Sequence, residues 1–249
     1  MALVLNEEQV MLKEAAAGFL SEKATVAHLR ELRDSGSEQG FASDVWQEMA
    51  EMGWAGIAIP EEFGGLGYGY TGLGIVLEQA GRNLSTGPLQ SAVLVAATLI
   101  AELGNPEQKQ RMLPAIASGE LLVTLALQEG SHHAPLQTAS SATRDGDDYV
   151  INGSKVLVLD AASAATFIVI ARTGGKAGDE SGLSAFLVDA GTDGLSVDGR
   201  SMVDSRSADA LALNDVRVPA ANLLGAEGEA WAGLSRTLDI ANLCLLYTS

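Results

Sequence analysis

The chain has 249 residues, enough for one large domain or two ordinary ones, with the apolar content of a globular protein. Asp plus Glu number 32 against 15 Lys plus Arg, a formal charge of −17 that argues against binding nucleic acid or anionic membranes, although backbone N–H groups can still hold a phosphate-bearing cofactor. One cysteine, Cys244, excludes an internal disulfide framework and a cysteine-based zinc site; no apolar run reaches the ~18 residues of a membrane span and Met1–Glu8 has no basic leader, so a cytoplasmic protein without a metal is expected.

The first part of the chain reads as helices. Asn6 with Gln9 three residues later has the form of a capping box, and Leu12, Ala16, Phe19 and Leu20 follow at helical spacing. A second helix is predicted over 43–52, closed by Gly53, and a third over 71–84. A fourth runs from Pro88 to Leu103 and stops at Gly104. Asn105, Pro106 and Gln108 mark the clearest start in the chain: a cap, a proline at the first helical position, and the closing residue of a box.

Near Leu121 the apolar period changes from 3.6 to 2. Leu121–Leu127 is a buried-strand run. Further strands are expected at 138–144, 148–151, 155–159, 166–172, 183–188 and 208–213, with Asp145-Gly146 and Asn152-Gly153 as hairpin turns. From about Glu227 helical spacing returns through Trp231, Leu234, Leu238 and Ala241, and an apolar run continues to Leu246. The fold class expected is α+β. An all-helical N-terminal domain spans 1–120 and an antiparallel β-barrel or sandwich spans 121–226. Residues 227–249 form the first helix of a C-terminal helical bundle whose remainder is missing, leaving Trp231, Leu234, Leu238 and Leu245 without packing partners.

Few motifs carry chemistry. Gly67-Tyr68-Gly69-Tyr70-Thr71-Gly72 fits G-x-G-x-x-G, but a Pro-Glu-Glu loop precedes it instead of a strand and no acid follows at the required distance, so a glycine-rich helix connection is the better reading. His132-His133 are adjacent, which points them apart, and read as solvated loop residues. Glu129 beside them is a single carboxylate, a weak signal for a general base.

Several strings, in order, resemble the acyl-CoA dehydrogenase family. Ile59-Pro60-Glu61-Glu62-Phe63-Gly64-Gly65-Leu66-Gly67 is similar to its P-E-x-[YF]-G-G-x-G loop. Gly104–Lys109 through Pro114, Gly119 and Glu120 is similar to its G-[ST]-x-x-Q-K…LP…G-E segment. Asp145–Lys155 is similar to its central hairpin, and Asp215–Pro219 with Asn222–Gly225 to the string that ends its β domain.

The resemblance implies a flavoprotein that uses FAD to take two hydrogens from the α and β carbons of an acyl-CoA, with a carboxylate as base and a flavoprotein as electron acceptor. It places Leu127, Gln128, Leu157 and Leu159 at the cofactor, and Asp239 near the place where some members carry the base. Two departures stand out. The family's T-E-P-x-x-G-S-D run is here Gln128-Glu129-Gly130-Ser131-His132-His133, and its W-I-T is Leu157-Val158-Leu159, so side-chain hydroxyls that bond the flavin are replaced. Such departures resemble the small-subunit-type members, of which the pimeloyl-CoA dehydrogenase small subunit is one. They imply a hetero-tetramer with a larger homologue; the other reading is a homotetramer with altered flavin contacts.

Overall fold

The computed structural model describes residues 4–37, 39–200, 202 and 206–247. Helix α1 (Glu7–Lys23) starts at the box read from the sequence: Gln9 N–H donates to Asn6 Oδ1 at 2.8 Å, and Asn6 N–H to Gln9 Oε1 at 3.0 Å. Helix α2 (Val26–Ser35) lies outside the predicted helices, and its apolar stripe is short: Val26, Leu29 and Leu32. None of its residues is buried, and it is held by Thr25, whose Oγ1 accepts the His28 N–H, and by Gly36 in the left-handed region. Helix α3 (Ser43–Glu51) buries Val45, Trp46, Met49 and Ala50, and α4 (Gly69–Arg82) buries Leu73, Ile75 and Val76. The predicted fourth helix begins as a π-helical stretch, Leu89–Ala96, and tightens into α5 (Ala97–Leu103).

Helix α6 (Pro106–Ala117) has the predicted box, and its Gln108 does more than cap. The buried carboxamide accepts the Asn105 N–H at 2.9 Å and donates to the carbonyls of Ala221 at 3.0 Å and Leu223 at 2.9 Å, tying the helix to the distant end of the β region. Gln108→Ala removes all three bonds and strands two carbonyls. The expected cost is about 2 kcal/mol in a urea melt; a change below a few tenths would show the tie to be idle.

The strands are β1 (Val123–Ala126), β2 (Ser141–Asp145), β3 (Asp148–Leu159), β4 (Thr166–Arg172), β5 (Leu183–Asp189), β6 (Leu195–Asp198), β7 (Ala208–Pro219) and β8 (Leu223–Leu224). They pair in the order β6-β7-β3-β2-β4-β5-β8, with β1 also on β4. Most pairings are antiparallel, as expected, with two exceptions: β1 and β2 both run parallel to β4. Strand spacing signals hairpins only between chain neighbours. The β2–β3 hairpin intervenes between β1 and β4, and that crossover makes them parallel.

Asp145-Gly146 forms the expected tight turn, with Gly146 left-handed. Asn152-Gly153 does not turn the chain. Both residues lie inside β3 opposite a bulge in β7: Asn152 faces the two residues Asn214 and Asp215, the latter left-handed at φ 53°, and the register shifts between Ile151 and Gly153. Asn152 bonds across to Asp215, accepting its N–H at 2.9 Å and donating to its carboxylate at 3.0 Å.

Helix α7 (Trp231–Tyr247) corrects the expectation of an unpartnered end. Leu234 is fully buried, Trp231 and Leu238 pack on the cluster of Leu99, Ile100, Leu113, Ile168, Ile170 and Leu183, and Leu245 packs beside Trp54 and Leu73 in a second one. The first of these clusters joins helices to strands, so the β region rests on α5, α6 and α7 through a shared apolar core. No helix among the described residues is long and apolar enough to cross a membrane.

Candidate functional site

Where β1 ends, the chain turns out of the core at Leu127 and enters an irregular loop. Leu127, Gln128, Glu129, Gly130, Ser131, His132, Ala134, Gln137 and Thr138 line a cleft of about 380 Å³. Gln128 Nε2 does not face outward: it donates to the carbonyls of Gly130, at 3.0 Å, and His132 within its own loop. His132 and His133 are exposed, as expected, with Ser131 Oγ 2.9 Å from His132 Nδ1. Among the described residues, the backbone N–H groups of Gly130–His133 have no partner within the chain.

Glu129 is no free base. Its Oε1 lies 2.6 Å from Lys155 Nζ and accepts the Ser140 N–H at 3.0 Å, and its Oε2 accepts the Ala139 N–H at 2.6 Å. Burial pushes the Glu129 carboxyl up, but the Lys155 charge and the hydrogen bonds from Lys155, Ser140 and Ala139 outweigh it and hold the group below its ordinary 4.5. A depressed carboxylate stabilises the fold above its unfolded value and loses that contribution as pH falls through the folded one. The stability gap between the wild type and Glu129→Gln is therefore widest near neutral pH and closes below 4.5. Melts from pH 7 to pH 3 check this, and a gap that widens on acidification would contradict it.

Lys155, on β3, is fully buried, and it was invisible in the sequence as anything but the end of the hairpin string. Its burial pulls the ammonium below the usual lysine value against the pull of Glu129. Two residues later Leu157 is left-handed, at φ 54°, and half exposed, because the pairing with β7 shifts register between Lys155 and Val158. The Val156 N–H donates to the Gln128 carbonyl at 2.7 Å, which sets the Leu157 bulge beside the cleft loop. Leu159, two residues on, is the last residue of β3; its carbonyl accepts from Thr124 Oγ1 at 2.7 Å, and neither it nor Leu157 is among the residues lining the cleft.

Asp160, which follows Leu159, is a second group that periodicity could not reveal. Buried and left-handed, it accepts from Ser91 Oγ at 2.5 Å in the π-helical stretch and lies 3.5 Å from Arg206 Nη2. Burial pushes its carboxyl up against the opposing effects of Arg206 and Ser91. Asp239 stands on the exposed side of α7 and does not line the cleft. Gly69 opens α4 after a loop, with no strand before it, as expected of a helix connection.

A flavin is a flat apolar ring system with a polar edge. The cleft offers an apolar surface at Leu127, with the half-exposed Leu157 on the strand bonded to its loop, and that loop offers the open N–H groups of Gly130–His133. That donor set fits such a group through backbone and packing, without the side-chain hydroxyls, and with the Gln128 amide already spent on its own loop.

Residues 6–120 match the family model for the acyl-CoA dehydrogenase N-terminal domain, and 127–217 match that for the acyl-CoA dehydrogenase middle domain. The probable acyl-CoA dehydrogenase YngJ of Bacillus subtilis (strain 168) is 35% identical over 244 residues, covering 94% of this chain and 62% of that protein. An acyl-CoA dehydrogenase from Geobacillus kaustophilus superposes with a TM-score of 0.88 at 27% identity, over 100% of this chain and 66% of that one. The ChsE4–ChsE5 complex from Mycobacterium tuberculosis contains a chain with a TM-score of 0.82 at 25% identity, covering 96% of this chain and 61% of that one. The chain spans about three fifths of the length of the curated relatives it matches.

Proposed function

The chain belongs to the acyl-CoA dehydrogenase family, and from that premise we propose that the whole protein dehydrogenates an acyl-CoA thioester between its α and β carbons. FAD, when bound, supplies the hydride acceptor for the β hydrogen. In this chain, Leu127 and Leu157 would pack against the ring, and the Gly130–His133 N–H groups and the Gln128 backbone would hold its polar edge, while Leu159, outside the cleft lining, would not touch it. Asp239 is the candidate on α7 for taking the α proton; being exposed, it needs further protein to close over it before it can act in a water-poor site. A flavoprotein partner then takes the electrons. The single observation behind this reading is the half-exposed Leu157 bulge set beside a loop with open N–H groups. The test is the visible spectrum of the purified full-length protein: a flavin band bleached by an acyl-CoA supports the reading, and a colourless protein that takes up no added FAD refutes it.

A second reading is favoured by the inward-turned Gln128 amide and by Leu157 and Leu159 standing where the family carries polar contacts. In it the protein is a flavin-poor subunit of a hetero-tetramer whose larger homologue does the chemistry, in the manner of a two-protein assembly such as ChsE4–ChsE5. Bleaching by acyl-CoA only after mixing with a co-expressed homologue supports it; turnover by the isolated protein with an artificial acceptor excludes it.

A further inference from the structure

We propose that the Glu129–Lys155 pair is the positioning element of the cofactor cleft, fixing the 127–133 loop and the β3 bulge at the separation a flavin ring requires; this rests on the flavin reading above. Three segments meet at the pair. Glu129 follows β1, its N–H donors Ala139 and Ser140 precede β2, and Lys155 belongs to β3. Lys155 Nζ also donates to the Leu127 carbonyl at 3.3 Å, so it holds both the first residue of the loop and the acid two residues later.

The pair also decides where the bulge falls. In a regular strand, residues two apart share a face, so the inward Lys155 would carry Leu157 inward with it. Instead Lys155 and Val158 are buried and Leu157 is half exposed, because the extra residue lies between them. A slip of β3 by one residue would carry Lys155 to the outer face and the bulge to another residue. An ammonium with no exposure demands its carboxylate, and the carboxylate sits in one place, so the pair makes that slip costly. Stability alone does not call for this arrangement, since well-packed apolar side chains commonly replace a buried ion pair without loss. What apolar residues would not supply is the fixed placement of Leu157 against Gly130–His133.

The test separates position from stability. Glu129→Gln combined with Lys155→Met, made in the full-length protein, removes the tie without leaving a buried charge. The flavin-stripped protein is titrated with FAD and followed by quenching of flavin fluorescence, with a thermal melt in parallel. The expected result is a near-wild-type melt with FAD affinity reduced by about tenfold or more. Glu129→Asp, which keeps the charge and withdraws it by one methylene, is the milder probe and is expected to weaken FAD binding severalfold with a smaller loss in the melt than Glu129→Gln alone. Wild-type affinity in both variants overturns the positioning role and leaves the flavin reading intact. A wild-type protein that binds no FAD overturns the flavin reading and this proposal with it.

Discussion

Glu129→Gln destabilises the protein more than Lys155→Met, by about 3 kcal/mol against about 1, although each removes one half of the same pair. The asymmetry lies in what is left behind. Without the Glu129 carboxylate, the Lys155 ammonium stays fully buried with the Leu127 carbonyl 3.3 Å away and at most an amide oxygen in place of a charge. Without Lys155, the carboxylate keeps the N–H groups of Ala139 and Ser140, and its side chain is 17% exposed, so water reaches it. The melting temperature is expected to fall by roughly 10 °C for Glu129→Gln and by a few degrees for Lys155→Met. Burial already lowers the Lys155 pKa, and losing Glu129 lowers it further. A lysine with a depressed folded pKa is protonated more readily in the unfolded chain, so stability rises with pH in that window. The Glu129→Gln deficit therefore narrows as the solution is made alkaline. A larger loss in Lys155→Met than in Glu129→Gln would place the strain on the carboxylate and reverse the argument.

The pair also marks where the sequence stops being legible. Asn6–Gln9 and Asn105–Gln108 are local devices, whose partners lie three residues apart, and both boxes form as the spacing predicts. Helix α2 is short, ten residues, and its stripe of Val26, Leu29 and Leu32 is nowhere fully buried and stands among charged residues, so the period is faint. Strands β6 and β8 are four and two residues long, too short for alternation to register. The parallel contacts of β4 depend on a crossover, and Lys155 with Glu129 and Asp160 with Ser91 are joined across 26 and 69 residues of chain. Lys155 comes after Asn152-Gly153-Ser154 at the start of the Lys155–Leu159 run, so no local pattern marks it as a buried charge. The residues placed at the cofactor by resemblance divide likewise. Leu127 and Gln128 line the cleft, the bulge brings Leu157 beside its loop, and Leu159, two residues on at the end of β3, is outside the lining, its carbonyl taken by Thr124.

The second large effect is expected at Gly65, in the loop that first suggested the family. Its neighbour Gly64 is left-handed, at φ 78°, with open space where a Cβ would go; Gly65 has no left-handed φ, yet a Cβ there would strike the Ile59 carbonyl and stand 2.6 Å from the Ile59 Cβ. That carbonyl cannot retreat freely, because it accepts the Gly67 N–H at 2.9 Å, while the Gly65 and Phe63 N–H groups both donate to Pro60 and the Leu66 N–H donates to Gly56 at 2.9 Å. The loop thus folds back on its own backbone, and Ile59 and Phe63 anchor it in the core shared with Leu113 and Ile116. Gly64→Ala should cost about 1 kcal/mol, the backbone strain alone. Gly65→Ala should cost about 3 kcal/mol, because relieving the overlap means breaking the Gly67 bond or displacing Ile59 from its packing. Urea melts of the two variants decide the matter. If Gly64→Ala proves the more damaging, the loop is limited by its turn conformation; if Gly65→Ala does, it is limited by the close approach of two stretches of backbone, a constraint that no helical or strand period can announce.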